Sequence, residues 1–125
     1  MNIPDALFYT RTHEWLRAEP DGLFTVGITD HAQESLGELV FVELPGVGSE
    51  VQPGKACTVV ESTKAAADVF PPFAGTIVAI NTALAETPET VNQDPYAAWL
   101  FRLRPAAPPD LSTLLDACAY RKAFA

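Results

Sequence analysis

One lysine stands apart in this chain. Lys64 lies between Glu61 and Asp68, is followed by Ala65, Ala66 and Ala67, and has no basic neighbour from Lys55 to Arg102. A primary amine among small side chains is open to acylation, which removes its charge and leaves a long flexible arm. An arm tethered to a rigid turn holds its far end at high effective concentration near a docked active site. The plainest alternative is a solvated surface lysine. Schiff-base chemistry would need a desolvated pocket to lower the amine pKa, and a tip in water does the opposite. No GxSxG elbow, HExxH pair or glycine-rich phosphate loop occurs, so the chain alone is expected to catalyse nothing. His13, His31, Cys57 and Cys118 lack metal-ligand spacing. No metal is expected, and the cysteines are read as buried free thiols of a reducing compartment.

The elements around Lys64 must present it. A helix is one possibility, with Ser62 as cap and the alanines in its first turns. Thr58-Val59-Val60 and Val69-Phe70 are strand-like, however, and Pro71-Pro72 would stop a helix after about two turns. Two strands joined by a tight Ser-Thr-Lys turn fit better, and a type I turn needs no glycine there. Lys64 is then a hairpin tip.

Strands are expected around Leu7 to Tyr9, around Trp15-Leu16 and over Leu23 to Val26. Thr29 or Asp30 caps a helix over Asp30 to Leu36, closed by Gly37. Glu38 to Leu44 reads as a well-buried strand. Thr76 to Ile80 is a strand, Thr87-Pro88-Glu89 starts a helix of one or two turns that ends by Asn92 to Pro95, and Trp99 to Leu103 is the last strand. Pro105 to Pro109 reads as a stiff linker. Asp110 then caps a helix with Leu111, Leu114, Leu115 and Cys118 on one face. Turn, strand, tip, strand, turn on either side of Lys64 suits a mainly β, flattened barrel-sandwich hybrid: two packed sheets connected by the lysine hairpin, with short helices and a C-terminal helix. At 125 residues one domain is expected. Its core spans about residues 7–104, and a helical segment covers about 110–124.

The net charge of −8 argues against nucleic acid as a partner. The acids serve solubility, or an acidic face that docks basic partners. No apolar run reaches membrane-span length. The first residues show neither a signal core nor an Arg-rich transit segment, so a cytoplasmic protein, or a mature one already trimmed, is expected.

Glu61-Ser62-Thr63-Lys64-Ala65 resembles the lipoyl-attachment hairpin of the H protein of the glycine cleavage system. The resemblance continues, in order and spacing, through Thr10-Arg11-Thr12-His13-Glu14-Trp15, Val26 to Gln33, Leu36 to Pro45, Gly75 to Val78 and Asn92-Gln93-Asp94-Pro95-Tyr96. It covers about Leu7 to Phe124. It implies lipoate in amide linkage to Lys64, with Glu61, Ser62 and Ala65 read by the lipoylating enzyme. It further implies a non-catalytic, monomeric shuttle for the aminomethyl group of glycine. The partners are the pyridoxal-phosphate glycine decarboxylase (P protein), the tetrahydrofolate-dependent aminomethyltransferase (T protein) and dihydrolipoyl dehydrogenase (L protein). The loaded arm is expected to fold back into a cleft, with Thr12 as hydroxyl partner, Glu14 as carboxylate partner and Asp68 close by. The alternatives are an H-type lipoate-relay protein or another lipoyl or biotinyl carrier domain. Biotin domains typically place methionine on both sides of the lysine, where this chain has Thr63 and Ala65. Lipoyl domains of 2-oxo-acid dehydrogenases resemble only the central part. One departure from the family is the short Tyr96-Ala97-Ala98-Trp99 loop.

Overall fold

Alternating apolar residues between turn signals fold into nine strands, in a computed structural model that describes Met1 to Ala125. They are β1 (Phe8–Tyr9), β2 (Glu14–Ala18), β3 (Phe24–Ile28), β4 (Leu39–Glu43), β5 (Glu50–Val51), β6 (Thr58–Ser62), β7 (Ala66–Val69), β8 (Gly75–Ile80) and β9 (Phe101–Pro105). Two antiparallel sheets result. The larger has the order β1-β2-β3-β9-β8-β5 and the smaller β4-β6-β7. Val42, Val60 and Val69 of the small sheet share one buried cluster with Leu16, Val26, Ile77 and Leu103 of the large sheet. The mainly β, barrel-sandwich expectation therefore holds. The hairpin β6-β7 does not connect the sheets, however, because both of its strands belong to the small one.

Strand alternation sends neighbours to opposite faces. Leu16 enters the core between the sheets, while Trp15 enters a second cluster with Tyr9, Ala117 and Tyr120. Trp15 lies opposite Gly27 in the ladder, and a Cβ at Gly27 would come within 2.6 Å of the indole. The glycine is what lets the ring lie flat on β3. The indole Nε1 donates to the Pro95 carbonyl at 3.0 Å.

Three helices complete the chain: α1 (Asp30–Leu36), α2 (Thr90–Gln93) and α3 (Ala117–Phe124). Helix α1 starts and stops where the sequence predicts. The Thr29 hydroxyl accepts from the Ala32 N–H, and Gly37 closes the helix at φ +82°. Thr87 does not cap α2, because its hydroxyl donates to the Ala83 carbonyl of a preceding 3-10 helix, Thr82–Ala85. The last strand runs two residues later than expected, and Pro105 pairs with Gly75 instead of opening a linker. The helix expected from Asp110 is broken. Asp110 caps only a 3-10 turn, Leu111–Thr113, Leu115 pairs with Tyr9 as an isolated bridge, and Asp116 caps α3. The buried face of α3 is Ala117 and Tyr120, and Cys118 is exposed. Cys57 is half-buried, so neither cysteine is a fully buried thiol; burial nevertheless pushes the Cys57 thiol up to about 11.

Helix α3 is fastened by aromatic contacts. His13, at φ +69°, stacks on His31 with ring centroids 4.2 Å apart, and its Nδ1 lies 2.7 Å from the Tyr120 hydroxyl. That hydroxyl also meets Thr29 Oγ1 at 2.8 Å, and Phe124 sits edge-on to both imidazoles. Burial first, then repulsion from His31, hold the His13 pKa below its ordinary 6.5. A histidine kept neutral in the fold binds fewer protons than in the unfolded chain. Its contribution to stability is complete above pH 6.5 and is lost as pH falls below that value. His13→Asn, which tolerates the left-handed backbone, is expected to flatten the fall in melting temperature between pH 7.5 and 5.5. An unchanged slope would contradict this.

Candidate functional site

The hairpin β6-β7 pairs Thr58 with Val69, Val60 with Ala67 and Glu61 with Ala66. Ser62 closes the turn. Its N–H donates to the Ala65 carbonyl at 2.8 Å, while its Oγ accepts from the N–H groups of Lys64 and Ala65 at 3.3 and 3.1 Å. The side chain thus does the work of a turn carbonyl. No residue of the turn has positive φ, as the type I reading requires. Thr63, Lys64, Ala65 and Ala66 are exposed.

Lys64 forms no ion pair. Its stem lies over Gly37 at the end of α1, where a Cβ would sit 3.4 Å from Lys64 Cε. That end is fixed by Asn92 of α2, whose Nδ2 donates to the carbonyl of Gly37 at 2.8 Å and to Gln33 Oε1 at 3.0 Å. Its Oδ1 accepts from the Leu39 N–H at 2.8 Å. One half-buried amide thereby joins α1, α2 and the start of β4 beside the lysine. From the sequence, Asn92 is expected only to end a helix; its role as a tie is visible only in the fold. The signal available was an amide with four hydrogen-bonding positions just before Asp94-Pro95.

Thr12 and Glu14 come together, the Thr12 hydroxyl donating to the Glu14 carboxylate. They line a cleft of about 450 Å³ with Thr10, Phe70, Pro71 and Leu114. Glu14 is 1% exposed. Its Oε1 accepts from the hydroxyls of Thr10 and Thr12, and its Oε2 accepts from the Phe70 N–H at 3.2 Å. Burial pushes its carboxyl above the ordinary 4.5, against the opposing pull of these hydrogen bonds. Glu14 therefore also ties β2 to the end of the lysine hairpin. Asp68 does not line the cleft. It is an exposed residue of β7, paired with Val59, two positions before Phe70. Ala66 and Asp68 fall on the outward side of β7 by strand alternation.

A family model for the glycine cleavage H-protein matches residues 7–125. The chain belongs to this family. It is 57% identical over 122 residues to the glycine cleavage system H protein of Nitrosospira multiformis, covering 98% of this chain and 95% of that one. It is 59% identical over 120 residues to the H protein of Methylococcus capsulatus, covering 96% and 94%. The crystal structure of a glycine cleavage system H protein from Mycobacterium marinum superposes with a TM-score of 0.87 at 45% identity, covering 97% of this chain and 98% of that one. The Lys64 amine at the tip is exposed, forms no ion pair, and stands between Thr63 and a run of three alanines. No helix is long and apolar enough to cross a membrane.

Proposed function

We propose that this chain is the lipoyl-carrying shuttle of the glycine cleavage system, acting as one carrier unit over residues 1–125 with lipoate in amide linkage to Lys64. The observation that carries the reading is the exposed, unpaired Lys64 at a hairpin tip in a member of the H-protein family. For attachment, the neutral Nζ attacks the carbonyl of an activated lipoyl donor. The C–N bond forms, the donor's leaving group departs with its electron pair, and Nζ loses a proton. The bound group supplies a disulfide that accepts an aminomethyl group and two electrons, chemistry that belongs to the cofactor and the partner enzymes.

The protein's own residues position and protect. Ser62 sets the turn by its hydrogen bonds to Lys64 and Ala65, and the small side chains of Ala65 and Ala66 leave the amine unobstructed. Glu61, paired with Ala66 beneath the turn, presents a carboxylate to the lipoylating enzyme. Glu61→Ala is expected to slow acylation while the circular dichroism of the fold stays unchanged; equal acylation rates would remove this role. Thr12 and Glu14 form the part of the cleft that receives the cationic end of the loaded arm, with Asp68 on its path. The partners follow from the family: the glycine decarboxylase, the aminomethyltransferase, dihydrolipoyl dehydrogenase and the lipoylating enzyme. The carrier acts as a cytoplasmic monomer that is not itself an enzyme.

The test is reconstitution. With glycine and the decarboxylase, release of CO2 should rise and saturate as the lipoylated chain is titrated in. Release independent of the chain would contradict the shuttle.

A further inference from the structure

The sequence predicts a well-buried strand over Glu38 to Leu44. The structure differs. In β4 only Leu39 and Val42 are buried, and Val40 and Phe41 are 52% and 47% exposed. Two causes act together. Strand β4 pairs only with β6, so it is the edge of the small sheet. A bulge between Leu39 and Phe41 then shifts the register and turns two successive apolar side chains outward. The other exposed large apolar residues, Met1 and Val47, lie at the terminus and in a loop. Val40-Phe41 is thus the one apolar patch carried on regular structure.

Its place in the sheet gives it meaning. Phe41 pairs with Glu61, and Glu61 pairs with Ala66, so the three form a row across the outer face immediately beneath the Lys64 turn. The next row is Glu43, Val59 and Asp68. The outer face of the small sheet is therefore an aromatic edge set among carboxylates, ending at the lysine.

We propose that Phe41 is the apolar anchor for the enzyme that acylates Lys64, which docks on this face with an apolar socket rimmed by basic groups. The proposal rests on Lys64 being the acylated lysine. The partner is chosen by reach. An enzyme acting on Nζ must bring its reacting carbonyl to a side chain only about 6 Å long. Directly opposed residues of paired strands lie about 5 Å apart, so such an enzyme covers Glu61 and Phe41 as it covers the tip. Enzymes that act at the far end of a completed arm work a whole lipoyl length away and need not cover this row. Charge points to the same partner chemistry: Glu43, Glu61 and Asp68 favour a basic surface. Phe41 is the one exposed aromatic, and aromatic side chains are enriched at protein interfaces.

The test compares unacylated wild-type chain with Phe41→Thr, which keeps strand propensity, and Phe41→Leu, which keeps an apolar anchor. Each is incubated with lipoate, ATP and a lipoate–protein ligase, and the initial rate of adduct formation is read by intact mass at several chain concentrations. Phe41→Thr is expected to lose about tenfold or more in kcat/KM, chiefly through KM, the scale of one lost aromatic anchor. Phe41→Leu should recover most of that loss. Fully lipoylated Phe41→Thr should still support wild-type CO2 release with the decarboxylase. Equal acylation of Phe41→Thr and wild type would overturn the proposal, as would an equal loss in the decarboxylase assay. A change in the chain's self-association with no change in acylation would assign the patch to a second copy and also overturn it. Failure of the wild-type chain to accept any lipoyl group would overturn the carrier reading itself, and with it this proposal.

Discussion

Lys64→Arg is expected to abolish glycine-dependent CO2 release while leaving the fold intact. Arginine keeps the positive charge, the length and the exposure at the tip. What it lacks is a nucleophilic amine, because the guanidinium stays protonated in proteins and is not acylated. Nothing in the hairpin depends on the lysine ammonium. The turn is held by Ser62 and the Glu61–Ala66 pairing, and Lys64 forms no ion pair. The free energy of unfolding should therefore match the wild type within the scatter of neutral surface substitutions, about ±0.5 kcal/mol. Residual turnover in the variant would mean that another amine carries the arm. The nearest lysine in sequence, Lys55, lies before β6 and away from the tip.

The second large effect belongs to Glu14. Its carboxylate accepts from three donors on two segments, so Glu14→Ala orphans the Phe70 N–H and releases the hydroxyls of Thr10 and Thr12. An unsatisfied buried donor costs about 1–3 kcal/mol, and a loss of that size in urea unfolding at pH 7 is expected. The sign of its pH dependence follows from the raised folded-state pKa. A carboxyl held above its ordinary 4.5 binds more protons in the fold, so its contribution is fully present below pH 4.5 and is partly lost as pH rises through the folded value. The gap between wild type and Glu14→Ala should therefore widen as pH falls from 7 to 4. A gap that narrows would mean that the buried carboxylate is better solvated than its neighbours suggest. Function should change separately. Lipoylation of Glu14→Ala is expected to proceed, since the hairpin tip is untouched. Loss of the aminomethyl group as formaldehyde and ammonia should run about two to five times faster, the scale of one modest ion pair. Equal half-lives at low and high salt would show that Glu14 does not hold the arm.

What the sequence made legible is local. Thr29, Asp30 and Gly37 carry the start and stop of α1 on their own side chains and backbone, and α1 has those ends. The β-branched run before Lys64 and the Ser62 turn likewise specify the hairpin without help from afar. What stayed hidden depends on distant partners. Leu114 and Leu115 continue a helical pattern from Asp110, yet Asp116 offers a second cap and Leu115 exchanges backbone hydrogen bonds with Tyr9, so the helix starts six residues late. Val40 and Phe41 read as core because hydropathy cannot see a sheet edge or a bulge. The burial of Glu14 is not legible in the sequence, because its three donors are side chains and a backbone group that only the fold assembles. The candidate site splits in the same way. Lys64 was legible from its isolation among small residues, whereas the Asn92 and Gly37 seat beneath its stem required the packing of α1 against α2.

The most direct measurement is the intact mass of this chain after expression in a host that makes and attaches lipoate, followed by peptide mapping. The account predicts the mass of one lipoyl amide, located on Lys64 and absent from Lys64→Arg. An unmodified chain, a biotinyl adduct, or a lipoyl adduct that persists in Lys64→Arg would contradict it.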